Sequence, residues 1–106
     1  MVMPAKAQPV SGTFTATGQS SAFYPMPGTF SVKLSSGVAT VKLERSSDSG
    51  STWDDVSADS LGTVASWSLN STEVGVLVDE PEINIQYRLN CTAYTSGTVT
   101  YRLGQT

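Results

Sequence analysis

Histidine is absent from the sequence, and cysteine occurs once, at Cys91. The first absence removes triads built on an imidazole base, most zinc sites and the commonest general base. The second means that no disulfide can form within the chain. Cys91 lies in YRLNCTAY at an inward-facing position of the pattern, with no base or cation beside it. It therefore reads as a small buried hydrophobe rather than a reactive thiol. Charge is scarce too, at 14% of residues, with a net value of −3. The six basic residues, Lys6, Lys33, Lys42, Arg45, Arg88 and Arg102, are dispersed along the chain. A nucleic-acid surface needs them clustered to displace counterions from phosphates, so no nucleic-acid partner is expected. No apolar run approaches the roughly 20 residues that span a bilayer, and no membrane partner is expected either. The N-terminal stretch MVMPAKAQPVSG lacks the charged start and apolar core of a signal peptide, which predicts a product made without secretion.

What is present points to strands. The 106 residues suffice for one ordinary domain, and 39% are hydrophobic. Ser, Thr, Gly and Val dominate, with Tyr, Phe and Trp placed among them, as in strands joined by tight turns. A disordered chain would carry more charge and fewer aromatics. A domain this small buries only about 60 to 70% of the surface its unfolded chain exposes, leaving little room for a deep enclosed site.

Residues 1–10, with Pro4 and Pro9, read as an extended N-terminal arm, and residues 11–106 as the folded domain. The stretch that follows the arm is broken by Gly18 and by Pro25-Met26-Pro27, whose prolines remove backbone donors and mark an edge or a loop. GTFSVKL alternates Phe30, Val32 and Leu34 against Ser31 and Lys33, the pattern of a half-buried strand. After Ser35-Ser36-Gly37, VATVKLER places Ala39, Val41 and Leu43 on one face, and the two runs are expected to form a hairpin. TWDDVS reads as a short returning strand carrying Trp53, and GTVASWSLN as a strand with Trp67 and Leu69 towards the core. VGVLVDEPEI is less regular and is expected to end in an acidic loop at Pro81. NIQYRLNCTAY sets Ile85, Tyr87, Leu89 and Cys91 on one face. Thr95-Ser96-Gly97 is expected to turn it back into TVTYRL as a long final hairpin. Seven to nine such strands predict a single all-β antiparallel sandwich, immunoglobulin-like or jelly-roll. No segment repeats, which excludes propellers and solenoids.

Residues 46–53, SSDSGSTW, form the most specific local pattern. Asp48 is placed to accept hydrogen bonds from amides further along the turn, and Gly50 supplies a positive φ. Thr52 starts the returning strand, and Trp53 can lay its ring over the hairpin to close that end of the core. Ser46, Asp48, Gly50, Thr52 and Trp53 match the Asp-box that resembles this stretch in sialidases and related propellers. There the boxes recur between blades, away from the catalytic centre. One box, in a chain with room for about two blades, implies a structural turn rather than a sugar hydrolase.

The remaining chemistry is carboxylate: Asp54 with Asp55, and Asp79, Glu80 and Glu82. A glycosidase needs two opposed carboxyls about 5 to 10 Å apart. No motif here arranges such a pair, so no catalysis is expected. Asp48, Asp54, Asp55 and Asp59 are close enough in sequence to suggest calcium, but the spacing is not that of an EF-hand and Asp48 is used in the turn. No metal and no cofactor is expected. Tyr24, Tyr94 and Tyr101 suit either a sugar-stacking platform or half-buried strand positions with the hydroxyl at the rim.

From about residue 12 to residue 105 the chain resembles small virion proteins of tailed bacteriophages. The pieces that carry the resemblance are GTFSVKL, ATVKLERSSDSGSTW and YRLNCTAYTSGTVTYRL. It implies a non-enzymatic head decoration, or cement, protein on the capsid surface, made in the host cytoplasm without a signal peptide. Its partners would be the major capsid protein and copies of itself, as a dimer or trimer. An apolar arm could add a strand to a neighbour's sheet edge. The candidate contact residues are Met3 and Pro4 in the arm, and Tyr24, Pro25, Met26 and Pro27 in the Pro-rich loop. A carbohydrate-binding module that takes glycans, and a tail or fibre component, are the alternatives.

Overall fold

The computed structural model describes residues 8–56 and 66–105. Nine strands and no helix occur among them: β1 (Val10–Phe14), β2 (Gly18–Gln19), β3 (Gly28–Ser35), β4 (Val38–Ser46), β5 (Asp54–Asp55), β6 (Ser66–Asn70), β7 (Glu73–Glu80), β8 (Gln86–Ser96) and β9 (Val99–Gly104). β1 begins at Val10, inside the span read as arm, because Val10 pairs with Leu103. The strands form two antiparallel sheets packed as a single β-sandwich. Sheet I has the order β1-β9-β3-β7, and sheet II the order β2-β8-β4, with β5 and β6 both on the far side of β4. β6 lies opposite Val38 to Lys42 and β5 opposite Glu44 and Arg45, so the two act as one interrupted strand. Counted that way, the sheets run 1-8-3-6 and 2-7-4-5, which is the jelly-roll order of two Greek keys. Pairing of the first strand with the last separates it from the immunoglobulin order.

Two expected hairpins do not form. β3 pairs with β7 and β9, whereas β4 pairs with β8, β5 and β6. The Ser36-Gly37 turn therefore carries the chain from one sheet to the other. The same holds for β8 and β9, which are linked through Gly97 but lie in different sheets. Alternation states which residues face the core, and both inner faces of a sandwich satisfy it equally. The corners themselves are tight. Ser36, Gly37 and Gly97 have φ of 57°, 73° and 77°. A Cβ on Gly97 would lie 3.1 Å from the Gly37 Cα, so the two turns pack backbone to backbone. The β6–β7 turn joins them, its Ser71 amide donating to the Gly37 carbonyl at 2.8 Å.

β7 also departs from the expectation of an acidic loop. It runs regularly to Glu80, placing Asp79 and Glu80 in the sheet. Val74, Val76 and Val78 turn inward and Gly75, Leu77 and Asp79 outward. The outward leucine hides this alternation in the sequence. Ser66–Asn70 is a strand with Leu69 buried and Trp67 half-buried, both packed on the core; residues 62–65 lie outside the described residues. The core between the sheets holds Phe23, Phe30, Val32, Leu34, Val41, Leu43, Leu89 and Leu103, with Tyr101 packed over Gly12. Cys91 is buried among them, and burial pushes its thiol pKa up.

Candidate interaction surface

The glycine corners occupy one end of the sandwich. The opposite end collects residues 20–27, 46–53 and 81–85 together with Gln105, because β3 and β8 start there and β4, β7 and β9 finish there. Phe23 bridges to Tyr87, each amide donating to the other's carbonyl at 2.7 and 2.8 Å, and Gly28 pairs with Glu80. Residues 24–27 and 81–86 therefore span the gap between the same two paired positions, one on each sheet, and run side by side. They present Tyr24 at 60%, Met26 at 42% and Ile83 at 66% exposure, three of the four large hydrophobics exposed among the described residues. Pro27 is exposed beside them, whereas Pro25 is buried. Gln105 fixes the first loop with two bonds: the Met26 amide donates to its Oε1 at 2.9 Å, and its Nε2 donates to the Met26 carbonyl at 2.7 Å. Beneath, Phe30 packs on Phe23 and on Tyr87, with ring centroids 5.2 and 4.6 Å apart. Sequence reasoning missed Ile83; a lone apolar residue between an acid and Asn in a predicted loop was its only signal.

The second loop is fixed by a buried carboxylate. Glu80, 1% exposed on β7, faces Arg45 and Tyr87 on the opposite sheet. The Arg45 Nε donates to Glu80 Oε1, as does the Tyr87 hydroxyl at 2.9 Å. The other oxygen accepts the Glu82 amide at 3.0 Å, which ties the start of the Ile83 loop to the core. Arg45 also reaches Glu82 at 3.6 Å. Burial works to raise the Glu80 pKa, but these donors and the guanidinium charge outweigh it and hold the carboxyl below its usual value. Burial and the neighbouring carboxylate together push the Tyr87 hydroxyl well up, so it stays a donor. Arg45 sits at a core-facing position of β4, opposite Tyr87 in register. An inward charge at the end of a strand signals such a partner, but the sequence does not name it.

In the 46–53 turn, Asp48 accepts from the Ser46 hydroxyl at 2.8 Å, the Thr52 amide at 2.9 Å and the Thr52 hydroxyl. The Ser46 oxygen accepts the Gly50 amide at 2.9 Å, and Gly50 has φ of 88°. These bonds, the Thr52 hydroxyl first, hold the Asp48 pKa down at about 2. Trp53 does not close the core. It sits just before β5, donates to the Gly50 carbonyl at 3.2 Å, and lies 4.3 Å from the Arg88 guanidinium on the outer face of sheet II. The turn hands the chain to an edge strand on which residue 53 points away from sheet I. Arg88 is oriented by Glu44, which accepts from its Nε at 2.7 Å and from the Asn90 side-chain Nδ2 at 3.3 Å.

Glu44, like Glu80, is buried, and its donors outweigh the burial that would raise its pKa, so it too is lowered. Both carboxylates therefore stabilise the fold above their unfolded pKa of about 4.3 and lose that contribution as pH falls through the lower folded values. The melting temperature is expected to be flat from neutrality to about pH 5 and to fall steeply below about 4. Glu44→Gln and Glu80→Gln should each flatten that fall. A melting temperature independent of pH across this window would contradict the two networks.

The other sequence candidates scatter. Asp54 and Asp55 are exposed on β5, with Asp55 accepting from Lys42 at 2.8 Å. Met3, Pro4 and Asp59 lie outside the described residues. Tyr24, Tyr94 and Tyr101 do not share a face. Tyr101 is buried against Phe14, with ring centroids 4.7 Å apart. Tyr94 is at the opposite end from Tyr24, its hydroxyl bonded to the Gly97 carbonyl at 2.6 Å. An irregularity in the β4–β8 ladder, where Thr40 pairs with Ala93 and Val41 with Cys91, turns Tyr94 inward against the core. Comparison with protein-family profiles, with curated proteins and with solved structures finds no match for this chain.

Proposed function

We propose that the protein is a non-enzymatic virion component of a tailed bacteriophage, a decoration protein that binds the assembled head and stabilises it. The observation that carries this reading is the loop end of the sandwich. Tyr24, Met26 and Ile83 project to solvent from two loops that Gln105 and Glu80 pin in place. Apolar and aromatic anchors on a preorganised support lose little entropy on binding, which suits a permanent protein–protein contact. The resemblance of GTFSVKL, ATVKLERSSDSGSTW and YRLNCTAYTSGTVTYRL to phage virion proteins supplies the partner, the major capsid protein. The jelly-roll order agrees by analogy alone, since viral coat domains and lectins both use it.

Co-sedimentation with empty heads of the phage that encodes the protein tests the reading. The protein should pellet in a fixed ratio to the major capsid protein. Tyr24→Ser combined with Ile83→Ser should weaken binding by roughly 30-fold or more, as loss of hot-spot anchors does. Both side chains are exposed, so the fold's melting temperature should stay unchanged. A folded wild-type protein that leaves the heads untouched would overturn the proposal, and binding to a glycan array instead would favour the carbohydrate-binding alternative.

A further inference from the structure

The outer face of sheet I carries an unusual charge arrangement. Lys33 on β3 and Arg102 on β9 are direct register partners, both exposed. Like charges placed opposite one another repel. The other basic residues in the described part, Lys42, Arg45 and Arg88, are each paired with a carboxylate, whereas Lys33 and Arg102 make no ion pair among the described residues. On the other side of Lys33 the register partner is Gly75 on β7, where a Cβ would meet nothing within 4 Å. The row Arg102–Lys33–Gly75 thus ends in an open notch at the sheet edge.

β7 is that edge. It pairs with β3, and no strand among the described residues pairs with its other side. Its eight residues contain no proline and no lysine, and Leu77 in its middle is 77% exposed, more than any other large hydrophobic in the described part. An eight-residue edge strand whose central residues, Val74 to Val78, carry no charge is a template for another strand.

We infer that two copies of this chain pair antiparallel along β7 about a two-fold axis passing between their Leu77 residues, joining two four-stranded sheets into one. Closed two-fold pairing is the commonest way identical surfaces meet. In this register Leu77 lies opposite Leu77 of the second copy, Val76 opposite Val78, and Gly75 opposite Asp79. The exposed leucines bury each other. Asp79 of the second copy then lies beyond the glycine notch, two strand spacings or about 10 Å from the Lys33 backbone, within the combined reach of the two side chains. Each interface gains this contact twice. The alternative register centred on Val76 sets Glu73 against Asp79, carboxylate facing carboxylate, and is disfavoured. The inference does not depend on the head-binding reading, because Leu77, Gly75, Asp79 and Lys33 are not among the loop residues that reading uses.

Sedimentation equilibrium of the full chain should give the mass of two chains at micromolar concentration. Leu77→Lys should raise the dissociation constant at least 100-fold while leaving circular dichroism and melting of the monomer unchanged. Asp79→Lys should weaken the dimer at least tenfold, and adding Lys33→Asp should restore it. With Cys91 replaced by serine, Leu77→Cys should give a covalent dimer on mild oxidation. A wild-type chain that stays monomeric into the hundreds of micromolar would overturn the inference. So would a dimer that Leu77→Lys leaves intact, or one that the charge exchange fails to restore.

Discussion

Replacing Glu80 by alanine is expected to destabilise the protein by about 3 kcal/mol. Removing one member of a buried ion pair typically costs about 3 to 5 kcal/mol, and the lower end applies because Arg45 keeps roughly a third of its side chain in water. The change leaves the Arg45 guanidinium, the Tyr87 hydroxyl and the Glu82 amide without their shared acceptor. For a domain of this size that corresponds to a fall in melting temperature of roughly 15 °C. Tyr87→Phe removes only one donor to the ionised carboxylate and should cost less, about 2 kcal/mol. Urea and thermal unfolding of the three proteins measure the difference; a loss below about 1 kcal/mol for Glu80→Ala would mean the carboxylate is solvated in solution. The consequence extends to binding. Glu80 holds the start of the 81–85 loop, so under the proposed function this variant should also bind heads more weakly at temperatures where it remains folded.

Gly37→Ala should cost a similar amount, about 3 kcal/mol, for an unrelated reason. Gly37 has φ of 73°, where an L side chain costs about 1 kcal/mol. Its Cβ would lie 2.6 Å from Val99 Cγ2 and 3.0 Å from the Thr98 carbonyl carbon and the Val99 amide nitrogen. Val99 is fully buried and two of the three nearest atoms are backbone, so relief requires moving a sheet-switching turn; overpacking of this kind costs about 1 to 3 kcal/mol. Gly75→Ala is the control. Its Cβ meets open space, and its effect on monomer stability should stay within about 0.5 kcal/mol. Equal effects of the two substitutions would show that the corner has no special packing.

The two positions differ in how legible they are. SSG between alternating runs marks Gly37 as a turn glycine, but its contact with Val99 joins residues far apart in sequence and exists only once three turns converge. The 46–53 turn was legible almost in full, because its hydrogen bonds run between residues two to four positions apart. Trp53 was misplaced because its surroundings come from β8: Arg88, itself held by Glu44 on β4, determines where the ring lies. The loop at Tyr24 to Pro27 was identifiable from its prolines, though Pro25 itself is buried. Ile83 and the buried Glu80 were not, since an apolar residue in a loop and an acid near a proline both read as solvated until the opposite sheet is in place.

Sequence alone determined the class of the fold, the range of its strand number, and the core-facing side of β3, β4 and β8. Those follow from alternation and turn chemistry, which act over a few residues. Tertiary structure decided the strand order, and with it the jelly-roll arrangement. A strand alternating Phe30, Val32 and Leu34 buries the same face whether its successor returns beside it or crosses to the other sheet. Which of the two happens is settled by the summed pairing of β3 with β7 and β9, and of β4 with β8, contacts that no local pattern encodes.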